Sequence, residues 1–186
     1  MTPGLERAYG EAHRRYHNRR HIEDCLQRLD SWPGLSPAER RLLTWAIWWH
    51  DAVYDPRASD NEAKSAEMAR ADLPRLGATA SEVDEVARLI LLTAGHTVRE
   101  GDHLGEVLVS IDLSILAAPP PEYDAYARNV RAEYAHVPDE AWKRGRPAVL
   151  QRFLDAPVIY PDPSFAAAHE HQARANLARE IASLRD

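Results

Sequence analysis

The stretch "GEVLVSIDLSILAA", residues 105–118, limits what this chain can fold into more than any other segment. It is apolar on nearly every face, so whatever it forms has to be covered all round. It is longer than a typical strand, and no hairpin or glycine-bounded partner run lies near it. The stretch therefore predicts a buried helix. It is too short to span a bilayer, and it carries Asp112 in its middle.

Helical punctuation continues along the chain. In "SPAERRLL", Ser36 stands at an N-cap, Pro37 at the first helical position and Glu39 where a capping box wants it. Leu42, Leu43, Trp45, Ala46 and Trp49 then recur at helical spacing. Asp60 is placed to cap "NEAKSAEMARADLPRL", which Gly77 ends. Ser81 is placed to cap "EVDEVARLILLTA", where Val83, Val86, Leu89 and Ile90 share a face. Pro119, Pro120 and Pro121 stop the apolar run and start "EYDAYARNVRAEYAHV". Two helices follow, broken near Pro147, and "DAPVIYPDPS" reads as a loop. A last helix runs from about Ser164 to Leu184, with Ala168, Ala175, Ala178 and Ile181 inward. No repeat or low-complexity linker interrupts the pattern. A length of 186 residues suits one domain with a sizeable core. The expectation is an all-α, single-domain helical bundle over residues 1–186, with about eight to ten helices.

Composition narrows the function classes. The net charge of −6 gives no general drive toward nucleic acid or an anionic membrane. No signal peptide is expected, and Cys25 is the only cysteine. An internal disulfide is therefore impossible, and a reducing, cytoplasmic setting is expected. No glycine-rich phosphate loop supports a Walker or Rossmann mode of nucleotide binding.

Four places hold ligand-type residues. In "RRYHNRRHIEDCL", His17 and His21 are four apart, hence on one face if the segment is helical. Arg14, Arg15, Arg19 and Arg20 surround them, which also fits a basic, solvated turn. Ile22, Cys25, Leu26 and Leu29 define a buried stripe, however, and His21 borders it. Next comes the doublet His50–Asp51, directly after Trp45, Trp48 and Trp49. At a helix end both can reach one ion, and imidazole with carboxylate suits Mn, Fe, Zn, Co or Ni. The alternative is a histidine that merely caps the helix C-terminus. That alternative is strong for His96, in "TAGH", where a direct role in a site is equally open. Last is Asp112. A carboxylate in a nearly all-apolar helix is costly unless it is paired or metal-bound. A buried ion pair to Arg131 or Arg146 would satisfy it, and so would a metal, which also accounts for His21, His50 and Asp51 together.

An early His, a His-Asp doublet at a helix end and a distant Asp form an H…HD…D pattern. It resembles the HD-domain superfamily of metal-dependent phosphohydrolases. The blocks "RRYHNRRHIEDCL", "WWHDAVYD…DNEAKSA", "IDLSIL", "YARNVRAEYAHV", "GRPAVLQRFL…IY" and "QARANLAREI" resemble one uncharacterised bacterial branch of it, from about residue 9 to 181. The resemblance implies an HD-type bundle with His21, His50, Asp51 and Asp112 as ligands to one divalent metal: Mn, Fe, Zn, Co, Ni or Mg. Relatives use an acid shortly after the doublet to orient water. Here Tyr54 stands where some carry Glu, which leaves Asp55 and Glu62 as candidate bases, with His96 as a further catalytic candidate.

The expected chemistry is hydrolysis of a phosphate ester or anhydride by metal-activated water. The substrate would be a small phosphorylated molecule, with nucleotides among the candidates. Asp55 or Glu62 would take the proton. Lys64, Arg131, Arg146 and Arg174 are the candidate phosphate-binding cations, each with a plain ion pair as its alternative. Trp45 and Trp49 read as core, whereas Trp48 either stacks on a base or shields the site. Two other classes compete: a catalytically idle HD domain that binds a nucleotide as a sensor, and a structural helical protein with a salt-bridged Asp112.

Overall fold

A computed structural model describes residues 2–185. Among them are nine α-helices, two short 3-10 turns and no strand. The helices are α1 (Pro3–Tyr9), α2 (Arg19–Asp30), α3 (Pro37–Trp49), α4 (Asn61–Asp72), α5 (Ala80–Leu92), α6 (His103–Asp112), α7 (Pro120–Glu133), α8 (Asp139–Asp155) and α9 (Pro163–Arg185). The all-α expectation holds. The chain divides into two compact units, the first ending at Ile111 and the second beginning at Asp112. No single helix among the described residues is long and apolar enough to cross a membrane.

In the first unit, α5 packs on α3 and α4, and α3 also packs on α2. The core draws Leu5 and Tyr9 from α1, Ile22, Cys25 and Leu29 from α2, and Leu43, Ala46, Ile47 and Trp49 from α3. Val83, Val86, Leu89 and Ile90 of α5 are all buried, as their spacing requires. The apolar run opens as a helix, and Val107, Leu108, Val109, Ser110 and Ile111 are each at most 1% exposed. It tightens into a 3-10 turn over Leu113–Ala117 before Pro119.

The caps set the helix starts. Ser36 and Glu39 form the expected capping box on α3. On α5 the cap is Thr79, not Ser81: Thr79 Oγ1 accepts from the Glu82 N–H, and the Glu82 carboxylate accepts from the Thr79 N–H at 2.8 Å. Glu82 sits three residues after Thr79, which completes a box. Asp60 occupies the N-cap of α4 but makes no capping bond. Its carboxylate pairs with Lys64 at 2.9 Å instead. Pro74 lacks the N–H that would continue α4, so the last turn, Leu73–Leu76, is 3-10. Gly77 then stops it at φ 83°, a left-handed conformation that glycine adopts without penalty.

In the second unit, α9 packs on α8 and on the 3-10 turn, and α7 packs on that turn as well. The expected break near Pro147 is absent, since α8 runs through it as one helix of 17 residues. The lost hydrogen bond is outweighed by the packing of α8 along α9. The inward face of α9 also differs from expectation. Ala173, Asn176, Leu177 and Ile181 are buried, whereas Ala168, Ala175 and Ala178 are exposed. Alanine carries little apolar area, so the larger Leu177 and Ile181 set the helix rotation. Asn176 fixes it further by donating to the Leu116 and Ala118 carbonyls at 2.9 and 2.8 Å.

Candidate metal centre

The centre begins with two helix ends. Asn18 caps α2 by accepting from the Arg20 N–H, which places His21 in the first turn, next to the buried Ile22. His17 therefore precedes the helix rather than sharing a helical face with His21. α3 ends at Trp49, and His50 is its C-cap. The packing of α2 on α3 brings the two imidazoles together inside the first unit.

His21 Nε2 stands 3.2 Å from His50 Nε2. The Asp51 carboxylate Oδ2 lies 3.2 Å from His50 Nε2 and 3.7 Å from His21 Nε2. The ligand atoms of these three residues all fall within 4.8 Å of one another. His21 and His50 are only 5% and 2% exposed. His50 Nδ1 is 2.9 Å from the Ile47 carbonyl and donates to it, so in the neutral ring the lone pair sits on Nε2. Two nitrogens bound tetrahedrally to one ion at about 2.0–2.1 Å stand about 3.3–3.4 Å apart. The observed separation fits that requirement. Burial pushes the Asp51 carboxyl up, but the electrostatic influence of His50, His17 and His21 holds it well below the usual carboxylate range. It is therefore an ionised oxygen donor beside two imidazoles.

The surroundings hold this geometry in place. The His17 ring stacks on Tyr54 with centroids 4.3 Å apart, and Tyr16 sits 4.8 Å from His21. His13 Nε2 is 2.9 Å from the Tyr54 carbonyl. Tyr9 donates its hydroxyl to the Trp48 carbonyl at 2.8 Å, just before the doublet. The Cys25 sulfur, one turn after His21 on α2, is 3.8 Å from His21 Nδ1. Trp49 is buried, whereas Trp45 and Trp48 are half-buried against the same core. Arg14 is not part of a solvated turn. Its side chain is fully buried and bonds to the doublet's own backbone. Sequence reasoning did not single out Arg14, Tyr9 or Cys25 for this centre. For Cys25 the i, i+4 spacing from His21 was the available signal. Arg14 had none, because Arg15 beside it looks identical in sequence.

The remaining candidates lie as follows. Asp112 is the last residue of α6 and is half-buried. The two arginines weighed as its ion-pair partners are engaged elsewhere. Arg131 bonds to the Tyr134 and Val137 carbonyls and to Asp139, and Arg146 pairs with Glu180 at 2.8 Å. Asp55 is exposed and accepts from the Arg57 N–H at 2.9 Å, while Asn61 exchanges two bonds with its backbone. Glu62 is half-buried in the first turn of α4. His96 follows α5 at φ 51° and donates its N–H to the Leu92 carbonyl. Neither Asp55, Glu62 nor His96 belongs to the three-residue group. Arg174 binds Glu170 and the Leu154, Ala156 and Pro157 carbonyls, so it shapes the loop before α9.

No protein-family model matches the chain, and neither does any curated protein or solved structure.

Proposed function

We propose that this protein is a metal-dependent phosphohydrolase of the HD superfamily. His21, His50 and Asp51 hold one divalent ion, with Asp112 as the fourth ligand. The observation that carries this reading is the convergence of two buried Nε2 atoms and a depressed carboxylate from segments 29 residues apart. When bound, such an ion supplies a Lewis acid and a water acidic enough to act near neutral pH. The substrate class is a small molecule with a phosphate ester or anhydride, and nucleotides head the panel to be tried. Asp55 or Glu62 serves as the base. Lys64 is the most available phosphate cation, because its partner Asp60 is an exposed ion pair that costs little to open. Arg146 sits in a buried pair with Glu180, so freeing it for substrate costs more. Arg131 would first have to give up its carbonyl partners.

The test is direct. Chelator-stripped protein is reloaded with Mn, Co, Ni or Mg and incubated with nucleotides and phosphorylated metabolites. Phosphate release is expected with at least one pairing, and it should disappear in His50→Gln. A folded, metallated protein that binds a nucleotide without turning it over would replace this reading with the sensor. A folded protein that takes up no metal would end both.

A further inference from the structure

The Arg14 side chain makes four hydrogen bonds among the described residues, and every one of them leads to the candidate metal centre or braces it. Nη1 donates to the His17 carbonyl at 3.0 Å and to the Asp51 carbonyl at 2.6 Å. Nη2 donates to the Ala52 carbonyl at 3.1 Å, and Nε donates to the Glu11 carboxylate at 2.8 Å. The guanidinium carbon lies 5.3 Å from the Tyr9 ring centre and 5.5 Å from that of Tyr54. One planar group thus bridges the segment entering α2, which carries His21, and the loop leaving α3, which carries Asp51. A flat, five-donor fork can serve carbonyls on two segments at once; an ammonium cannot hold the same directions.

We propose, on the strength of the metal-centre reading above, that Arg14 is its positioning residue: by clamping the His17, Asp51 and Ala52 carbonyls it sets the spacing of the ligands on two segments and thereby the metal affinity. None of these four bonds goes to a ligand side chain. It acts through the backbone that aims them.

Cobalt(II) titration followed by visible absorption tests this, with the melting temperature of each metal-free protein measured alongside. In Arg14→Lys, the cobalt Kd should rise about 10- to 100-fold, the range expected when a group that orients ligands is lost. The visible bands should shift as well, because the Asp51 oxygen is displaced. A wild-type Kd and spectrum with only a lowered melting temperature would make Arg14 structural and overturn the proposal. If Arg14→Lys fails to fold, Glu11→Gln serves instead. It leaves the three carbonyl bonds intact and loosens only the Nε end, so the Kd should rise about two- to fivefold, the range that losing a partly exposed ion pair allows. An unchanged Kd there overturns the proposal too. Wild-type protein that binds no cobalt removes the metal centre and Arg14's role together. Wild-type binding with unaffected variants removes Arg14's role alone.

Discussion

Asp112 ends a helix whose five preceding residues are buried. A carboxylate there has to be balanced by a cation or by strong donors. As a metal ligand, Asp112→Asn keeps the volume and loses the charge, so metal stoichiometry and activity fall sharply while the fold survives. As half of a buried ion pair, the same change strands a cation and costs about 3–5 kcal/mol of stability with metal content untouched. Metal analysis and a melting curve on this one variant separate the two. Full occupancy with a large loss of stability would remove Asp112 from the ligand set. His50 shows why single residues matter here. Its Nδ1 bond to the Ile47 carbonyl fixes which nitrogen faces His21, and no other ring atom could take that role without turning the imidazole over.

At the scale of elements, start signals compete locally, and the structure shows which of them win. Thr79 and Ser81 are both plausible caps two residues apart. The reciprocal bond from Glu82 decides for Thr79. Thr79→Ala should therefore cost about 1 kcal/mol, whereas Ser81→Ala should be close to neutral. Urea midpoints of the two variants check this, and the opposite order would move the cap to Ser81. Asp60 shows the converse case, a good capping residue diverted by Lys64 one turn later. α8 shows packing overriding propensity, because a proline at position 147 is absorbed without ending the helix.

For the whole molecule, the candidate centre ties α2 to α3 inside the first unit, so metal binding should stabilise that unit. Ligand binding to the folded state adds about 2.7 kcal/mol when free metal is 100 times Kd. The melting temperature should accordingly rise with added metal in a concentration-dependent way and fall back on chelation. His21→Ala should abolish that dependence, whatever the loss of the buried ring does to the metal-free melting temperature. A melting temperature indifferent to metal in the wild type would contradict the reading. Calorimetry over a metal series is the measurement.

Much was legible in the sequence because it is encoded within one or two helical turns. The all-α class, the Ser36 box, the burial of Val83, Val86, Leu89 and Ile90 and the helical character of the apolar run all follow from i, i+3 and i+4 spacing and from capping chemistry. The sequence also marked His21, His50 and Asp51 as ligand-type residues at core edges. What it could not specify was their meeting. That His21 and His50 present Nε2 atoms 3.2 Å apart depends on how α2 lies against α3, which is set by many distant apolar contacts at once. Non-local packing likewise took Arg14 out of its basic run and closed it over two loops; within the second unit, α8 runs on through Pro147, and Ala168, Ala175 and Ala178 of α9 face outward. Local patterns state which face a residue occupies on its own helix; only the assembled helices state what that face meets.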